Sequence, residues 1–369
     1  MRRQLIRAAL AGLKNNWKGW LTNRKIVVFE SDDWGSIRMP SHESYQWLVK
    51  NGYPIAQRPQ ERYDALESAD DLQDLFDVLT SFTDFSGRHP TFTFNTIMTN
   101  PDFAKIKAAG YTRYFGEPFT ETYQKYAAHQ KSFKTFQRGI KAGVFYPQYH
   151  GNEHINIARW MKQLQNKDSD SRKVFHLGMA GITAKQKPKL GNQILVAYDF
   201  DSEQQRQAQI SSLVEGAKHF ESLFGFRSKS FIAPVYTWHS SLEKELSKIG
   251  IKYLQGGKIQ IQPQGANRRH FLGEKNIHGQ SYLVRNVYFE PALHTRDIVG
   301  QTLDYIGSAF LMRKPAIIST HRFNYVGFID KQNKKKGLCQ LKRLLQAILK
   351  RWPDVEFMTS PELGELIEK

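Results

Sequence analysis

Short apolar runs rich in β-branched and aromatic residues recur along the chain, and amphipathic stretches separate them. Such runs indicate buried strands, whereas apolar residues three and four apart indicate helices that cover a core with one face. The predicted strands are 25–29, 91–97, 143–149, 173–182, 229–233, 251–254, 282–289, 316–320 and 355–358. The predicted helices are 43–50, 71–79, 121–141, 155–165, 208–224, 241–249, 297–313 and 338–351.

Strands that alternate with helices predict an α/β protein with a parallel sheet, and seven to nine such units favour a closed barrel. The chemistry of a (β/α) barrel sits at the carboxyl ends of its strands, so the residues after each run are the candidates for function. Two polar, weakly periodic stretches, 52–69 and 186–209, are the predicted insertions. We predict one catalytic domain over 25–369, preceded by a basic segment over 1–24.

Composition narrows the kinds of site that the chain can hold. The 369 residues are 40% hydrophobic, with 24 Phe, 16 Tyr and 7 Trp, which is enough to bury a core and excludes a disordered chain. A single cysteine, Cys339, excludes a disulfide scaffold and a metal site built from thiolates. Any metal must therefore be held by histidine and carboxylate side chains.

Charge is the second compositional feature: 53 Lys and Arg against 35 Asp and Glu leave a formal net charge of +18. No zinc-finger, RRM or basic-zipper pattern accompanies it, so no nucleic-acid partner is expected. A solvated basic surface is one interpretation, and attraction to an anionic glycan or to an anionic membrane surface is another.

The N-terminal segment has apolar residues at helical spacing between arginines and lysines, which predicts a basic amphipathic helix. Lys14 interrupts its apolar stretch, so no signal peptide is expected, and no run of 18 apolar residues predicts a membrane span. The expected location is the cytoplasm, with a peripheral membrane contact through this helix as a further hypothesis.

Three predicted strands end in titratable side chains. Asp32 and Asp33 follow the first strand, where a bound cation would relieve the repulsion between them; a helix cap or an Asx turn is the alternative. His150 and His154 follow the third, and residues four apart on a helical turn can reach one ion; two structural histidines are the alternative. His321 ends a late strand and could act as an acid–base group.

Together these side chains suit metal-assisted hydrolysis. Asp33, His150 and His154 would hold a divalent metal, most simply Zn²⁺, and leave a position open for water. Asp32 is then free to accept a proton from that water, and His321 to give one to the leaving group. The same ligand types also form non-haem iron sites, so an iron enzyme remains an alternative.

The combination resembles the polysaccharide deacetylase (NodB-homology) family of carbohydrate esterases. The motif FESDDWG carries the family's base and first metal ligand at Asp32 and Asp33, HGNEH its metal pair at His150 and His154, and IISTH its acid at His321. The resemblance implies a distorted (β/α) barrel of about seven strands and a carbohydrate substrate. It also implies a metal-bound water as the nucleophile.

Two of the family's motifs are altered. The family has Arg-x-Pro-Tyr at a strand end, and its arginine orients the catalytic aspartate; here Ile232 takes that position, and Arg285 and Arg322 are the candidates to replace it. The family also braces its acid histidine with an Asp and a Trp, for which Asp297 and Trp238 are the candidates. The residues nominated for the substrate and an oxyanion hole are Pro234, Val235 and Tyr236, with the Val235 N–H as the donor.

The predicted function is removal of an N- or O-linked acetyl group from a sugar of a polysaccharide or glycan precursor, and not cleavage of peptide bonds. A catalytically silent glycan-binding protein on the same fold is an alternative that the replacement at Ile232 suggests. A glycosidase is a further one; it would need a second carboxylate, and Glu153 and Glu290 are the candidates.

Overall fold

The computed structural model describes residues 16–182 and 194–369 of the chain. Its strands are β1 (Lys25–Trp34), β2 (Phe92–Thr96), β3 (Thr99–Pro101), β4 (Gly116–Pro118), β5 (Phe145–Tyr149), β6 (Ser230–Ile232), β7 (Tyr253–Gly256), β8 (Ile259–Gln260), β9 (Arg268–Arg269), β10 (Ser281–Val284), β11 (Val287–Tyr288), β12 (Ala316–His321) and β13 (Val355–Met358). The α-helices within the described ranges are α1 (His42–Lys50), α2 (Pro59–Arg62), α3 (Ala69–Thr80), α4 (Phe103–Ala108), α5 (Phe119–Lys125), α6 (Ser132–Lys141), α7 (Ile157–Gln165), α8 (Asp170–Val174), α9 (Glu203–Phe224), α10 (Ser241–Lys248), α11 (Val299–Leu311), α12 (Lys331–Arg351) and α13 (Ser360–Glu368).

The main sheet is parallel and closes on itself. Its strand order is β10-β7-β6-β5-β2-β1-β12-β11, with β13 paired to the first half of β1. Only two residues separate β10 from β11, so one short stretch of chain pairs with β7 at one end of the path and with β12 at the other. The Arg285 amide donates to the Gly256 carbonyl at 2.9 Å, and the Asn286 amide to the Ile317 carbonyl at 3.2 Å. The predicted distorted barrel of about seven strands is confirmed.

The barrel interior is apolar at one end and polar at the other. Successive side chains of a strand point to opposite faces, so residues two apart share a face. Ile26 and Val28 of β1 pack inside the barrel with residues of β7, β10 and β12, and Glu30 and Asp32 continue the same face. Val27 and Phe29 point outward into the main core beneath α3, α6, α11 and α12. The inward-facing side chains are therefore apolar at the amino ends of the strands, which form the barrel floor, and polar at the carboxyl ends.

The other predicted strands are present, most with shifted ends, except that the one predicted over 282–289 is two, β10 and β11. The strand predicted over 173–182 is wrong. Helix α8 and a 3₁₀ turn at Phe175–Leu177 occupy its first half. Val174 and Met179 pack into one small core and Phe175 into another, so their burial comes from neighbouring helices. A short apolar run has the same sequence pattern in a buried strand and in a helical segment that neighbouring helices cover. The helix predicted over 121–141 is two, α5 and α6, with a 3₁₀ turn between them.

The N-terminal helix prediction falls mainly on residues 1–15, outside the described part of the chain. Residues 17–24 are not helical and cross the barrel floor, where the Trp20 amide donates to the Leu272 carbonyl at 2.7 Å. The buried Lys314 ammonium donates to the Trp20 carbonyl at 2.8 Å. None of the described helices combines the length and apolar character needed to cross a membrane.

The glycine at 337 lets α12 approach the loop that follows β12. A Cβ at Gly337 would lie far inside van der Waals contact of the Asn324 carbonyl oxygen, which is backbone and cannot swing aside. Gly337→Ala should lower the free energy of unfolding by about 1–3 kcal/mol in urea denaturation, because the helix must shift. Gly300→Ala is the control, since nothing lies within 4 Å of a Cβ there. An equal loss in both variants would contradict this packing.

Candidate functional site

Asp32 and Asp33 both reach one pocket although they are neighbours on a strand. Ordinary extended backbone would send them to opposite faces of the sheet. Asp33 instead adopts a φ of 75°, in the left-handed region, and the pairing of β1 with β2 shifts register between Ser31 and Trp34. This local departure from the strand turns the second carboxylate toward the first. Strained backbone of this kind is typical of functional sites.

Asp33 lies against both histidines of the HGNEH motif. Its Oδ1 is 3.3 Å from His150 Nε2 and 3.0 Å from His154 Nε2, and all three side chains are buried. One ligand atom from each lies within 4.8 Å of the others, the arrangement that a metal site requires. The three residues come from the end of β1 and from the loop after β5, as predicted.

The hydrogen bonding of this group fits a divalent metal. His150 Nδ1 lies 2.8 Å from the Ile232 carbonyl, to which it can only donate, so its Nε2 carries a lone pair in the neutral ring. In that form the lone pair faces the Asp33 carboxylate oxygen, and a cation between the two atoms would be bound by both. Burial lowers the pKa of His154, which favours the neutral ring that a metal binds. A carboxylate and two imidazoles are the ligand set of hydrolytic zinc.

Asp32 is held by a buried arginine from the barrel closure. Arg285 donates from Nη1 to Asp32 Oδ2 at 2.6 Å and from Nη2 to Oδ1 at 2.7 Å. Asn95 of β2 donates to the same Oδ1 at 2.7 Å. Of the two arginines nominated to replace the one missing at Ile232, Arg285 is the one in contact with Asp32.

Glu30 anchors the other side of that guanidinium. Arg285 Nε donates to Glu30 Oε2 at 2.6 Å, and Ser360 donates to Glu30 Oε1 at 2.8 Å. Arg285 and Glu30 are both 0% exposed. The arginine therefore sits between two carboxylates of β1, two residues apart on the inward face, and its three donor groups are all occupied.

His321 is the register partner of Asp32 on the neighbouring strand. Its Nε2 lies 3.7 Å from Asp32 Oδ2, and its Nδ1 donates to Glu290 Oε1 at 2.6 Å. Asn324 donates to the other oxygen of Glu290. Glu290 is thus the group that braces His321, and it comes from the loop after β11.

The electrostatic setting gives the two acid–base candidates opposite protonation states. Burial would raise the pKa of Asp32, but the charge and hydrogen bonds of Arg285 outweigh it and hold that pKa below its usual value. Burial likewise opposes the charged form of His321, but Glu290 and then Asp32 raise the pKa of His321 to about 10. At neutral pH the carboxylate is ready to accept a proton and the imidazolium to donate one.

These groups line one pocket of about 400 Å³ at the carboxyl ends of the strands. Ala233, Val235 and Tyr236 form one wall, and Pro234 begins the turn that carries them. Val235 and Tyr236 have φ of 56° and 54°, a second stretch of left-handed backbone beside the metal ligands. The Tyr236 hydroxyl lies 3.2 Å from Arg285 Nη1.

Other residues nominated from the sequence lie elsewhere. Arg322 does not contact Asp32; it binds Asp64 and Glu67 from the predicted insertion over 52–69, at 2.7 and 2.8 Å. Asp297 pairs with Arg343, and Trp238 donates to Glu243, so neither braces His321. Arg322 was nominated because it follows His321 in the sequence, and Asp297 and Trp238 because the family has an Asp and a Trp; neither ground reports distance.

Neither glutamate nominated as the second carboxylate of a glycosidase is available for that role. Glu153 accepts from Asn152 at 3.0 Å and from Ser212 at 2.7 Å, away from the lining of the pocket, whereas Glu290 is bound to His321 at 2.6 Å. These contacts do not favour the glycosidase alternative.

Four residues at the site were not predicted in their roles: Glu30, Asn95, Arg38 and Glu290. Arg38 lines the pocket, with Nη1 2.9 Å from Asp64 Oδ2 and 3.8 Å from Asp33 Oδ2. The sequence could have predicted that Glu30 faces the site, because it is a charged residue within a buried strand and lies two residues before Asp32. Arg38 and Glu290 sit in loops, where no periodicity gives a side chain its direction.

No protein-family model matches the sequence, and no curated protein is similar to it. Among solved structures, the chain is similar to a provisionally assigned polysaccharide deacetylase from Mycobacterium smegmatis, with 11% identity, 95% of this chain and 93% of that one covered, and a TM-score of 0.46. A 4-alpha-glucanotransferase from Thermococcus litoralis also has 11% identity and a TM-score of 0.46; the match covers 92% of this chain but 40% of that enzyme. The peptidoglycan deacetylase PdaC from Bacillus subtilis has 8% identity, coverage of 94% and 92%, and a TM-score of 0.35. Scores this low establish neither fold nor function, both of which rest on the geometry above.

Proposed function

We propose that this chain is a divalent-metal-dependent hydrolase of the polysaccharide deacetylase type, which removes an N- or O-linked acetyl group from a sugar. One observation carries the proposal: three side chains arranged as metal ligands would be, a carboxylate held by Arg285 and a histidine held by Glu290 line the same pocket. Residues 25–369 would form the catalytic domain, and Zn²⁺ is the metal we expect.

The reaction assigns a task to each group. A divalent cation held by Asp33, His150 and His154 would polarise the acetyl carbonyl and activate water. Asp32 accepts the proton that the attacking water loses, while His321 gives its proton to the departing sugar nitrogen or oxygen. The products are acetate and a free amine or hydroxyl. Because Asp32 and His321 lie 3.7 Å apart, the proton gained by one can return to the other and restore both.

The shape of the pocket suits an acetyl group on a polar substrate. Leu195, Val235, Leu293 and Phe323 offer apolar surface for a methyl group, and Arg38 and Gln60 offer donors for hydroxyls. The amide of Val235 remains the candidate to stabilise charge on the acetyl oxygen.

The alternative of a catalytically silent glycan-binding protein rested on the missing arginine at 232. Arg285 reaches Asp32 from another strand with two hydrogen bonds and supplies the contact that Ile232 cannot make. This contact favours an active enzyme.

Acetate release from N- and O-acetylated glycans, measured with and without a chelator, tests the proposal. We expect release from at least one acetylated glycan, its loss on chelation, and its return when Zn²⁺ is added. Metal analysis of the protein as purified separates the iron alternative, because iron with oxygen-dependent turnover would contradict a hydrolase. Acetate release that persists in the chelator would also contradict a metal-dependent hydrolase.

Changing Glu290 should alter the pH dependence of the reaction. His321 acts as an acid, so activity falls as pH rises through its pKa, which Glu290 helps raise to about 10. In Glu290→Gln that support is lost and burial lowers the pKa, so the alkaline limb of kcat/KM should move to lower pH. Activity should therefore fall more steeply between pH 7 and 9 than in the wild type, by about tenfold or more at the alkaline end.

The matched control for this variant is Glu153→Gln. Glu153 is also buried beside the metal ligands, but it makes no contact with His321. An alkaline limb that stays in place in Glu290→Gln, or one that moves equally in both variants, would remove Glu290 from this role.

A further inference from the structure

A second cavity, of about 490 Å³, lies beside the active-site pocket and takes no part in the chemistry described above. The loop after β1 separates the two. Asp33 and Arg38 line the active-site pocket, whereas Ile37 lines the second cavity. Consecutive residues of one loop thus face two neighbouring spaces.

Asn100 holds this dividing loop in place. Its Oδ1 accepts from the Ile37 amide at 2.9 Å, and its Nδ2 donates to the Gly35 carbonyl at 2.8 Å. Asn100 is 2% exposed and follows β2 in the chain. Because the Asn100 side chain is buried and holds two backbone groups of the loop, the relative placement of the two spaces is fixed.

Aromatic rings form the walls of the second cavity. Phe175 packs edge-on against Phe103 at 5.1 Å and against Tyr111 at 5.0 Å, and Tyr126 completes the lining. Rings that brace one another leave fixed apolar surfaces, on which the flat faces of pyranose rings can lie. An aromatic pocket with a few polar groups is typical of a small-molecule site.

The polar groups of this cavity carry an excess of positive charge. Glu117 is 4% exposed, and its carboxylate is already bound by the Thr122 hydroxyl at 2.9 Å and by the Lys125 ammonium. Lys107 and His176 also line the cavity, and Glu117 is the one acid among its lining residues in the described part of the chain. A ligand carrying an anionic group is therefore the complementary one.

We propose that the second cavity binds an acidic sugar unit, one that carries a carboxylate, in the glycan chain whose neighbouring unit reacts at the metal site. The second half of this statement rests on the proposed function. The formal net charge of +18 agrees with this proposal, because a basic protein attracts an anionic polymer.

Two tetrasaccharides test the proposal. Hyaluronan tetrasaccharide alternates a carboxylate-bearing sugar with an acetylated one, whereas chitotetraose is acetylated and neutral. Isothermal titration of the full chain should give a Kd at least about tenfold lower for the hyaluronan fragment, the equivalent of one added charge-assisted contact. The titration uses Asp32→Asn, so that binding is read without turnover.

A substitution that fills the cavity tests whether the hyaluronan fragment binds there. Ala104 and Ala108 are both exposed on α4, but only Ala104 lines the cavity. Ala104→Trp should weaken hyaluronan-fragment binding at least about tenfold, because its indole takes the place of a sugar ring, and Ala108→Trp should not. Hydrolysis of 4-nitrophenyl acetate, which is too small to span both spaces, should be unchanged in both variants of the otherwise native chain.

Lys107→Gln tests whether the positive charge of the second cavity contributes to binding. This variant should weaken binding of the hyaluronan fragment several-fold and leave chitotetraose binding unchanged. Equal affinity for the two probes, no binding of either, or binding that Ala104→Trp leaves intact would overturn the proposal. Since binding is measured without catalysis, a failure to observe acetate release would count against the proposed function alone.

Discussion

Asp32→Asn is expected to lower kcat for acetate release by about 10²–10⁴-fold while the bound metal remains at wild-type stoichiometry. An amide has the shape of a carboxylate but cannot accept the proton of the attacking water. The metal should stay, because Asp33, His150 and His154 supply the ligand atoms. Metal analysis of the purified variant and acetate release under saturating substrate are the two measurements.

Asp33→Asn is the matched control for that variant. The two aspartates are neighbours of equal size and burial, 4% exposed each, but face different groups. Asp33→Asn should lose metal first and activity as a consequence, so its activity should partly recover in excess Zn²⁺, whereas that of Asp32→Asn should not. Retained turnover in Asp32→Asn, or lost metal in that variant, would show that Asp32 is not the base.

Arg285→Met is expected to reduce both stability and activity. It leaves Glu30 and Asp32 buried without the cation that neutralises them, which should lower the free energy of unfolding by about 3–5 kcal/mol. It also frees Asp32 to rotate, and loss of such a supporting contact should cost about 10–100-fold in acetate release. Urea denaturation and acetate release, at a temperature where the variant remains folded, measure the two effects.

A double variant separates the two effects of that change. Glu30→Gln combined with Arg285→Met removes one of the two carboxylates left without a partner. It should therefore recover part of the lost stability but none of the lost activity, because the two guanidinium hydrogen bonds that orient Asp32 are still missing. If activity recovers together with stability, Arg285 serves folding alone and its contact with Asp32 has no catalytic role.

Arg285 also shows how much of the site strand periodicity alone could have predicted. Leu283 packs inside the barrel, so Arg285, two residues later, is expected on the same inward side. The same rule takes Ile317 to Ser319 and His321 on β12, and Val28 to Glu30 and Asp32 on β1. The inward-facing residues of each strand could be predicted from the sequence. Which strands lie next to each other could not, because strand order in the barrel depends on pairing between distant segments.

The elements that the sequence left undecided are those outside regular periodicity. The run over 173–182 is apolar because helices cover it, and a strand would look the same. The hydrogen bond to His321 comes from Glu290 in a loop, whereas Asp297, nominated because the family braces this histidine with an Asp, pairs with Arg343. Loop side chains take their direction from tertiary contacts, so composition and spacing do not locate them.

The sequence by itself predicted the alternation of strands and helices and the barrel class. It also pointed to Asp32, Asp33, His150, His154 and His321, which line one pocket, because hydrophobic periodicity and strand-end position are local properties of the chain. Only the tertiary structure decided that Arg285, and not Arg322, contacts Asp32. Arg285 lies between β10 and β11, 53 residues after Ile232 at the end of β6, and closure of the barrel brings it to Asp32. A buried carboxylate needs a cation within hydrogen-bonding distance, and the strand that supplies it is set by the closure of the sheet.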